Sequence, residues 1–538
     1  MIVRMKHLDL VCVAADKVAT LERLRALGAV HLDLSAAAGS AVAAARGDIE
    51  AAEKAVRLIL KARGKAAADG LCSRSVAEVL ELDADRQALV AERDRLEREV
   101  KAYEPYGDFD PELARKLLAK GIDLADRLPP KLPEMRLSKL REKLARTVDG
   151  IAAGSAKLAA TDERAILADY PSLGERLAFE QARELMSEKG AVAVISGWIP
   201  GPAVDGLSAV AKDAGWGLLL REPAEGETPP TLIRPPKAFR PVKALFEGLG
   251  IAPGYTEADV SVPFMCYFSL FFAMLVGDGA YGAIFLAVTL LMRKKMPKSW
   301  FTLMTVFSLA TIAWGVLSNT WFGAGIPWCA EWPTVRWLSG ADAPAGHQYD
   351  NMMFLCFTIG VSHLMLARLW NGLCMLNDRA CLSQFGWAGI VLFMYVLTNS
   401  IVGIFGGVPT WCYWTFGASF LVVFWQAKGM DKGMLFLNTM SVLGDIISYV
   451  RLFAVGLASV KVAENFNAMA LDLGLPIWIK WLPVVLILLV GHGLNLAMAG
   501  LSVLVHAVRL NTLEFSNHKG VSWAGYAFRP FGRKEFKV

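Results

Sequence analysis

The sequence lacks the usual handles of catalysis. It has no P-loop pattern, no cluster spaced as metal ligands and no nucleophile elbow. Its eight cysteines form no CxxC pair. Cys266, Cys356, Cys374 and Cys412 sit in or beside apolar runs and read as small buried hydrophobes, neither disulfides nor metal ligands. No cofactor, metal or ATP site is therefore expected in this chain. A net charge of +5 is too small to argue for nucleic acid. The opening MIVRMKHLDL has no apolar core of a secretory signal, so the first half is expected in the cytosol. Charge is scarce in one half only. Residues 1–262 hold 38 Lys+Arg and 40 Asp+Glu, whereas residues 263–538 hold 18 and 11. Long apolar runs fill that second half and lift the hydrophobic share to 54%, above the globular norm. The junction falls near Glu257–Pro263, which gives two parts, 1–262 and 263–538.

The first part reads as α+β. MIVRMKHLDLVCV alternates as a strand, VATLERLRALG is helical and AVHLDL reads as a second strand. Near the far end, AVAVISGWIPG and WGLLLREP are strands around a helical AVDGLSAVAKDAG. The two β/α pieces are expected to form one lobe. Between them Leu82, Leu89 and Leu96 repeat at seven, with Val79, Val100 and Tyr103 on the same seam. YEPYGDFDPE and DRLPPKLPEMR break the pattern, and a returning helix spans about Leu137–Lys189. This pattern suggests an antiparallel coiled-coil arm with a small tip. Its bland alternative is a solvated helical hairpin with no partner. RPPKAFRPVKALFEGLGIAPGYTEADVSVP is a stiff linker.

The second part reads as all-α and polytopic. Apolar runs cover about 264–292, 300–324, 351–370, 385–407, 411–427, 433–470 and 477–513. Basic residues cluster at Arg293–Lys298, Arg368–Arg379, Lys428 and Lys432, and Arg529–Lys537. The loop 325–350 carries only Arg336 against Glu331, Asp342 and Asp350. All basic loops share the side of the first part only if 264–292 enters and returns, hinged at GDGAYG. That gives eight segments with both termini cytosolic. Asp278 in the hinge is either a turn former among close-packed glycines or a polar group lining a water-filled entry.

One run carries a charge where water should not reach. The run 433–470 would be about 57 Å long as a helix against a hydrocarbon layer of about 30 Å, so it must tilt, overhang or break. Arg451 sits near its middle, too deep to snorkel. Such an arginine costs from about 3 to 10 or more kcal/mol unless a partner or water offsets it. Gly444, Ser448, Val455, Ala458 and Val462 flank it on one small-residue face. Asp278, Asp445 and Glu464 are the candidate acids within the chain's own spans, and the two on the same helix point mostly elsewhere. A carboxylate from another subunit is therefore expected, with a structural salt bridge inside the chain as the alternative, and an acid of the same chain locked onto Arg451 would overturn that reading. The last run adds a seven-residue polar seam, His492, Asn495, Ser502, His506 and Arg509, interrupted by Ala499 and ending at Leu513. Five polar positions in such a segment suggest a water path or a polar partner. His506 and Arg509 lie nearer an end, where snorkelling weakens their signal.

MKHLDLVCVAADKVATLERLRALGAVHLD, EPYGDFD, VISGWIPG, FSLFFAMLVGDGAYG, IGVSHLMLARLWN, SYVRLFAVGLASVKVAENFN and VLVHAVRLNTLEF…YAFRPF together carry a resemblance. Through them the sequence resembles the membrane stator subunit of rotary V-type/A-type ATPases, subunit a of vacuolar enzymes and subunit I of bacteria and archaea. It implies a non-catalytic subunit beside a rotating proteolipid c/K ring, with two aqueous half-channels for H⁺ or Na⁺ and two long tilted helices facing the ring. It also implies peripheral-stalk E/G-type subunits and a central-stalk socket as partners, and a bacterial plasma membrane as the site. By the same resemblance Arg451 matches the family's essential arginine and Arg509 its second one. The chain departs from the family in a short arm and tip. Asn438, Ser459 and Ala499 stand where relatives often carry glutamate or histidine, while Asp445, Glu464, His492 and His506 are polar elsewhere. Two alternatives differ in class. A secondary ion transporter with a regulatory arm would need inverted repeats with paired broken helices, and only one broken hairpin is visible. A membrane scaffold would leave Arg451 and the polar seam unexplained.

Overall fold

The computed structural model describes all residues except 36, 65–70, 121–127, 130, 345, 474–475 and 533–538. Part of the expected tip and the basic residues from 533 onward lie outside the described residues. The described residues form two compact units, one of residues 6–221 with 530–532, the other of residues 1–5 and 222–529.

In the first unit, β1 (Met5–Val13) is followed by α1 (Lys17–Leu27) and four longer or shorter arm helices. These are α2 (Ser40–Arg63), α3 (Val76–Tyr103), α4 (Pro111–Ala119) and α5 (Leu137–Ala159). Then come α6 (Glu163–Leu185), β2 (Ser187–Lys189), β3 (Val192–Pro200), α7 (Val204–Ala214) and β4 (Gly217–Arg221). The strands make one sheet in the order β2-β3-β1-β4. β4 runs antiparallel to β1, with Leu10 opposite Leu218, and β2 runs antiparallel to β3. The pieces from opposite ends of the segment therefore share a sheet, as their alternation suggests. Leu8 and Leu10 bury one face against Leu21, Leu24 and Leu207.

AVHLDL departs from expectation, because it makes only a single bridge, His31 to Trp198. Ala29, Val30, His31 and Leu32 are all buried, so the alternation needed for a half-exposed strand is missing. The returning helix is also two helices. Asp162 caps α6 by accepting from the Arg164 N–H at 3.1 Å. Arg63 binds the carbonyls of Ala159 (3.2 Å) and Thr161 (2.6 Å) at the break. The last residues of the expected helix turn into β2. α3 packs along α5 and α2 along α6, around Ala52, Ala55, Ile59, Val79, Leu158 and Ile166. On the heptad seam Val79 and Leu96 are buried, but Leu82 and Leu89 are only partly so. Asp83 is buried between them, held at 2.6 Å by both Arg86 and Gln87.

The second unit starts with α8 (Val242–Leu249), whose Val242, Leu245 and Phe246 enter the same core as Phe264 and Phe268. This explains why the linker belongs to this compact unit although composition puts the junction near Glu257–Pro263. α9 (Ser261–Val276) and α10 (Gly279–Leu291) are bent by 117° at Gly277–Asp278. Gly277 is left-handed there, at φ 72°. α11 (Lys298–Ser318) packs so closely on α10 that a Cβ on Gly315 would lie 2.2 Å from the Gly279 Cα. The short α12 (Pro333–Ser339) leads to α13 (Asp350–Cys374), α14 (Ala380–Ile401) and α15 (Thr410–Gln426). α16 (Met430–Ser448) and α17 (Val450–Leu471) come next, then α18 (Ile477–Ser502), π-helical turns at Val503–Ala507 and Leu510–Phe515, and α19 (Ser516–Lys519).

Among the described residues five helices are long and apolar enough to cross a membrane, and the bent pair makes six if it is one span. α15 has 17 residues, about 26 Å, short of a layer of about 30 Å.

Candidate functional site: a buried ion pair at a helix break

The long run that must tilt, overhang or break is interrupted at one residue. Tyr449 separates α16 from α17 and is fully buried. Its hydroxyl lies 2.9 Å from the His363 Nδ1 of α13, and that imidazole stacks on Phe515 at 4.4 Å. The Leu452 N–H closes on the Tyr449 carbonyl at 3.0 Å, a three-residue turn. The Ser448 carbonyl is thereby released from the helix ladder and accepts the Arg451 Nε at 2.8 Å. One loosened turn thus aims the guanidinium.

The other end of Arg451 corrects the expectation of an external acid. Its Nη2 donates to Glu514 Oε1 of the same chain at 2.7 Å. None of Asp278, Asp445 and Glu464 is the partner. The polar seam does not point to Glu514, because a π turn inserts an extra residue per turn and rotates the residues beyond it. A regular seam ends at Leu513, yet Leu513 is 51% exposed and Glu514 4%. The surroundings stay charged and incompletely matched. Arg509 brings its Nε to 3.4 Å from the same Oε1. Glu514 Oε2 and His506 Nδ1 are buried with no hydrogen-bond partner among the described residues. The Arg451 side chain retains 22% exposure, and Gly444 and Ala458 on its face are exposed.

The remaining site residues separate into distinct places. Asp445 Oδ2 lies 3.0 Å from His518 Nε2, and Arg368 Nε donates to His518 Nδ1 at 3.0 Å. His492 and Asn495 meet at Tyr281. The Tyr281 hydroxyl is 2.7 Å from His492 Nδ1 and accepts from Asn495 Nδ2 at 3.0 Å. His492 Nε2 is 3.1 Å from Asn467 Oδ1, and Asn495 Oδ1 accepts from Ser459 Oγ at 3.0 Å. Ser502 is half-buried before the first π turn. Glu464 pairs at 2.7 Å with Lys461, both largely in the open. Asp278 caps α10. Its Oδ1 accepts from Ala280 N at 2.8 Å and its Oδ2 from Gly323 N at 2.8 Å.

One known protein matches the chain along nearly its whole length, and others match part of it. The V-type ATP synthase subunit I 1 of Treponema pallidum is 29% identical over an alignment of 630 residues, covering 99% of this chain and 100% of that protein. This chain is a homologue of the V-type and A-type ATP synthase subunit I proteins. The V-type ATP synthase subunit I of Borreliella burgdorferi is 32% identical over 382 residues, 66% of this chain and 62% of that protein. The A-type ATP synthase subunit I of Methanocaldococcus jannaschii is 25% identical over 414 residues, 69% and 59% of the two chains. The matches thus span less than two thirds of the Borreliella and Methanocaldococcus proteins. No protein-family model matches the chain.

His363, Arg368 and His518 also carry no assignment from the sequence, although the first two lie in IGVSHLMLARLWN. Their signal is an ionisable group inside or at the end of an apolar run.

Proposed function

We propose that the chain is the stator subunit of a rotary V/A-type ATPase, in which Arg451 faces a ring of proteolipid subunits and couples ion passage to ATP synthesis or hydrolysis. The observation that carries this reading is the end-to-end similarity to a V-type ATP synthase subunit I, with YVRL and HAVRLNTLEF at the two helices that meet in the buried pair. Pairing with Glu514 means that an uncompensated charge no longer argues for an external acid. What supports a moving acid is the partial exposure of Arg451, the open small-residue face beside it and the second arginine at the same carboxylate.

In this reading a ring acid is protonated or ion-loaded in lipid, because desolvation disfavours its charged form. Beside Arg451 the charged form gains, and the ion leaves. The fixed cation also opposes a direct leak between two half-channels opening to opposite sides. Arg509, His506, His492, Asn495, Ser502, Glu464, Asp445 and Asp278 are the candidate channel or supporting residues. Residues 1–262 serve as the arm and linker, with a coiled coil that docks peripheral-stalk subunits. Residues 263–538 serve as the translocation domain, with eight segments in the plasma membrane and both termini cytosolic. The central-stalk socket completes the set of partners.

The test is a mild-detergent pull-down of the full chain. An oligomeric proteolipid ring and stalk subunits are expected with it, and repeated recovery of the chain without any ring would refute the reading.

A further inference from the structure

Resting on the stator reading, we propose that Glu514 is the proton acceptor for the external carboxylic acid that docks at Arg451, and that the two acids exchange places on that guanidinium. Glu514 is a buried carboxylate using one oxygen twice. Oε1 meets Arg451 Nη2 at 2.7 Å and Arg509 Nε at 3.4 Å, while Oε2 is buried without a partner among the described residues. A proton placed on Oε2 therefore costs no existing hydrogen bond. An ionised acid that served only as a brace would be expected to use both oxygens, because leaving a buried charged oxygen unpaired is costly.

The step balances. The O–H bond of the arriving acid breaks and its electron pair stays on the new carboxylate. The proton forms an O–H bond at Oε2, directly or through water. Arg451 remains a cation and transfers its ion pair from Glu514 to the arriving group. The local charge is the same before and after, so no bare charge is created in an apolar layer. His506 Nδ1 is the next unpartnered buried polar atom and lies within the field of the same two arginines. The other titratable groups around this centre are Tyr449 at the helix break, His363 on α13, Tyr267 on α9, and Asp445 on α16 with its partner His518 on α19.

The experiment uses the whole ATPase complex in proteoliposomes and measures ATP-driven acidification with a pH-sensitive dye. E514Q keeps the shape but cannot be protonated to a neutral acid. It is expected to lower the initial rate by about 100-fold with the complex assembled, and to flatten the pH–rate profile. E514D is expected to restore most of the rate with a displaced profile, which a purely bracing residue would not do. Wild-type rates in E514Q, or a loss with an unchanged pH profile and no rescue by E514D, would overturn the inference. If E514Q does not assemble, an E514D complex with a wild-type profile would overturn it. Wild-type complexes that acidify no vesicles would overturn it too, leaving the stator reading intact. R451A run in parallel separates the two ideas: retained coupling there defeats the stator reading, whereas normal E514Q beside a dead R451A defeats this one alone.

Discussion

Two polar clusters lie along the final pair of long helices, and they differ in kind. Around Tyr281, the groups of His492, Asn495, Asn467 and Ser459 form a neutral network in which donors and acceptors match one another. Around Arg451, the charges outnumber the matches: two arginines share one oxygen of Glu514, and an oxygen and a ring nitrogen are left over. A satisfied neutral network in an apolar interior holds helices in register. A half-satisfied charged one is unstable unless something else enters it. The difference fits the proposed reading, in which the first cluster locks the helices and the second exchanges partners.

Breaking the charged cluster should have the largest effect. E514L leaves Arg451 without its acid and should destabilise the isolated subunit by about 3–5 kcal/mol. The double variant R451L/E514L should recover most of that stability, read as the thermal midpoint of the purified chain. A double variant no more stable than E514L would show that the pair is not the source of the loss. N495L should cost less, about 1–3 kcal/mol for the orphaned buried partners, and should leave the ratio of ion transport to ATP hydrolysis unchanged in complexes that survive. A changed ratio would move Asn495 from the lock to the path.

A finer contrast uses the two histidines. His506→Leu should alter the pH dependence of coupled transport, because its free nitrogen faces the exchange centre. His492→Leu should mainly lower stability. Equal pH effects in both would erase the distinction.

The smallest effect lies where the linker meets the tail. Glu257 accepts from Gly254 N at 2.6 Å and from Ser522 N at 2.7 Å. Burial pushes its carboxyl upward, but these N–H donors and the Ser522 hydroxyl outweigh it and hold the group below the usual carboxylate value. A lowered value in the folded state means stability that is complete above the ordinary value and lost as pH falls through the folded one. The protection factor of the Ser522 amide, its exchange rate compared with the unprotected rate at the same pH, should therefore fall on acidification below about pH 4.3, and E257Q should remove that dependence. An amide equally protected at all pH would contradict it.

Much of the molecule is legible in the chain, and the failures have physical causes. The break at Gly277–Asp278 is marked by glycines beside a capping acid. The shared sheet is marked by strand-like stretches at both ends of the first unit, of which MIVRMKHLDLVCV alternates. The special position of Arg451 is evident from depth alone. Its partner is not, because a periodic seam assumes a regular helix, and two π turns move Glu514 into the place that Leu513 would have taken. The split between α5 and α6 is hidden because Asp162, an ordinary cap, stands between helices of similar character. AVHLDL fails as a strand although Val30, Leu32 and Leu34 alternate with less apolar residues, because both faces of Ala29–Leu32 are buried and the segment pairs only through the His31–Trp198 bridge.

The central claim is that the Arg451 centre couples ion movement to rotation. The most direct measurement is ATP-driven ion uptake by proteoliposomes holding the assembled complex with R451A. Uptake should vanish while the ring remains bound. Uptake at the wild-type rate per ATP hydrolysed would contradict the account.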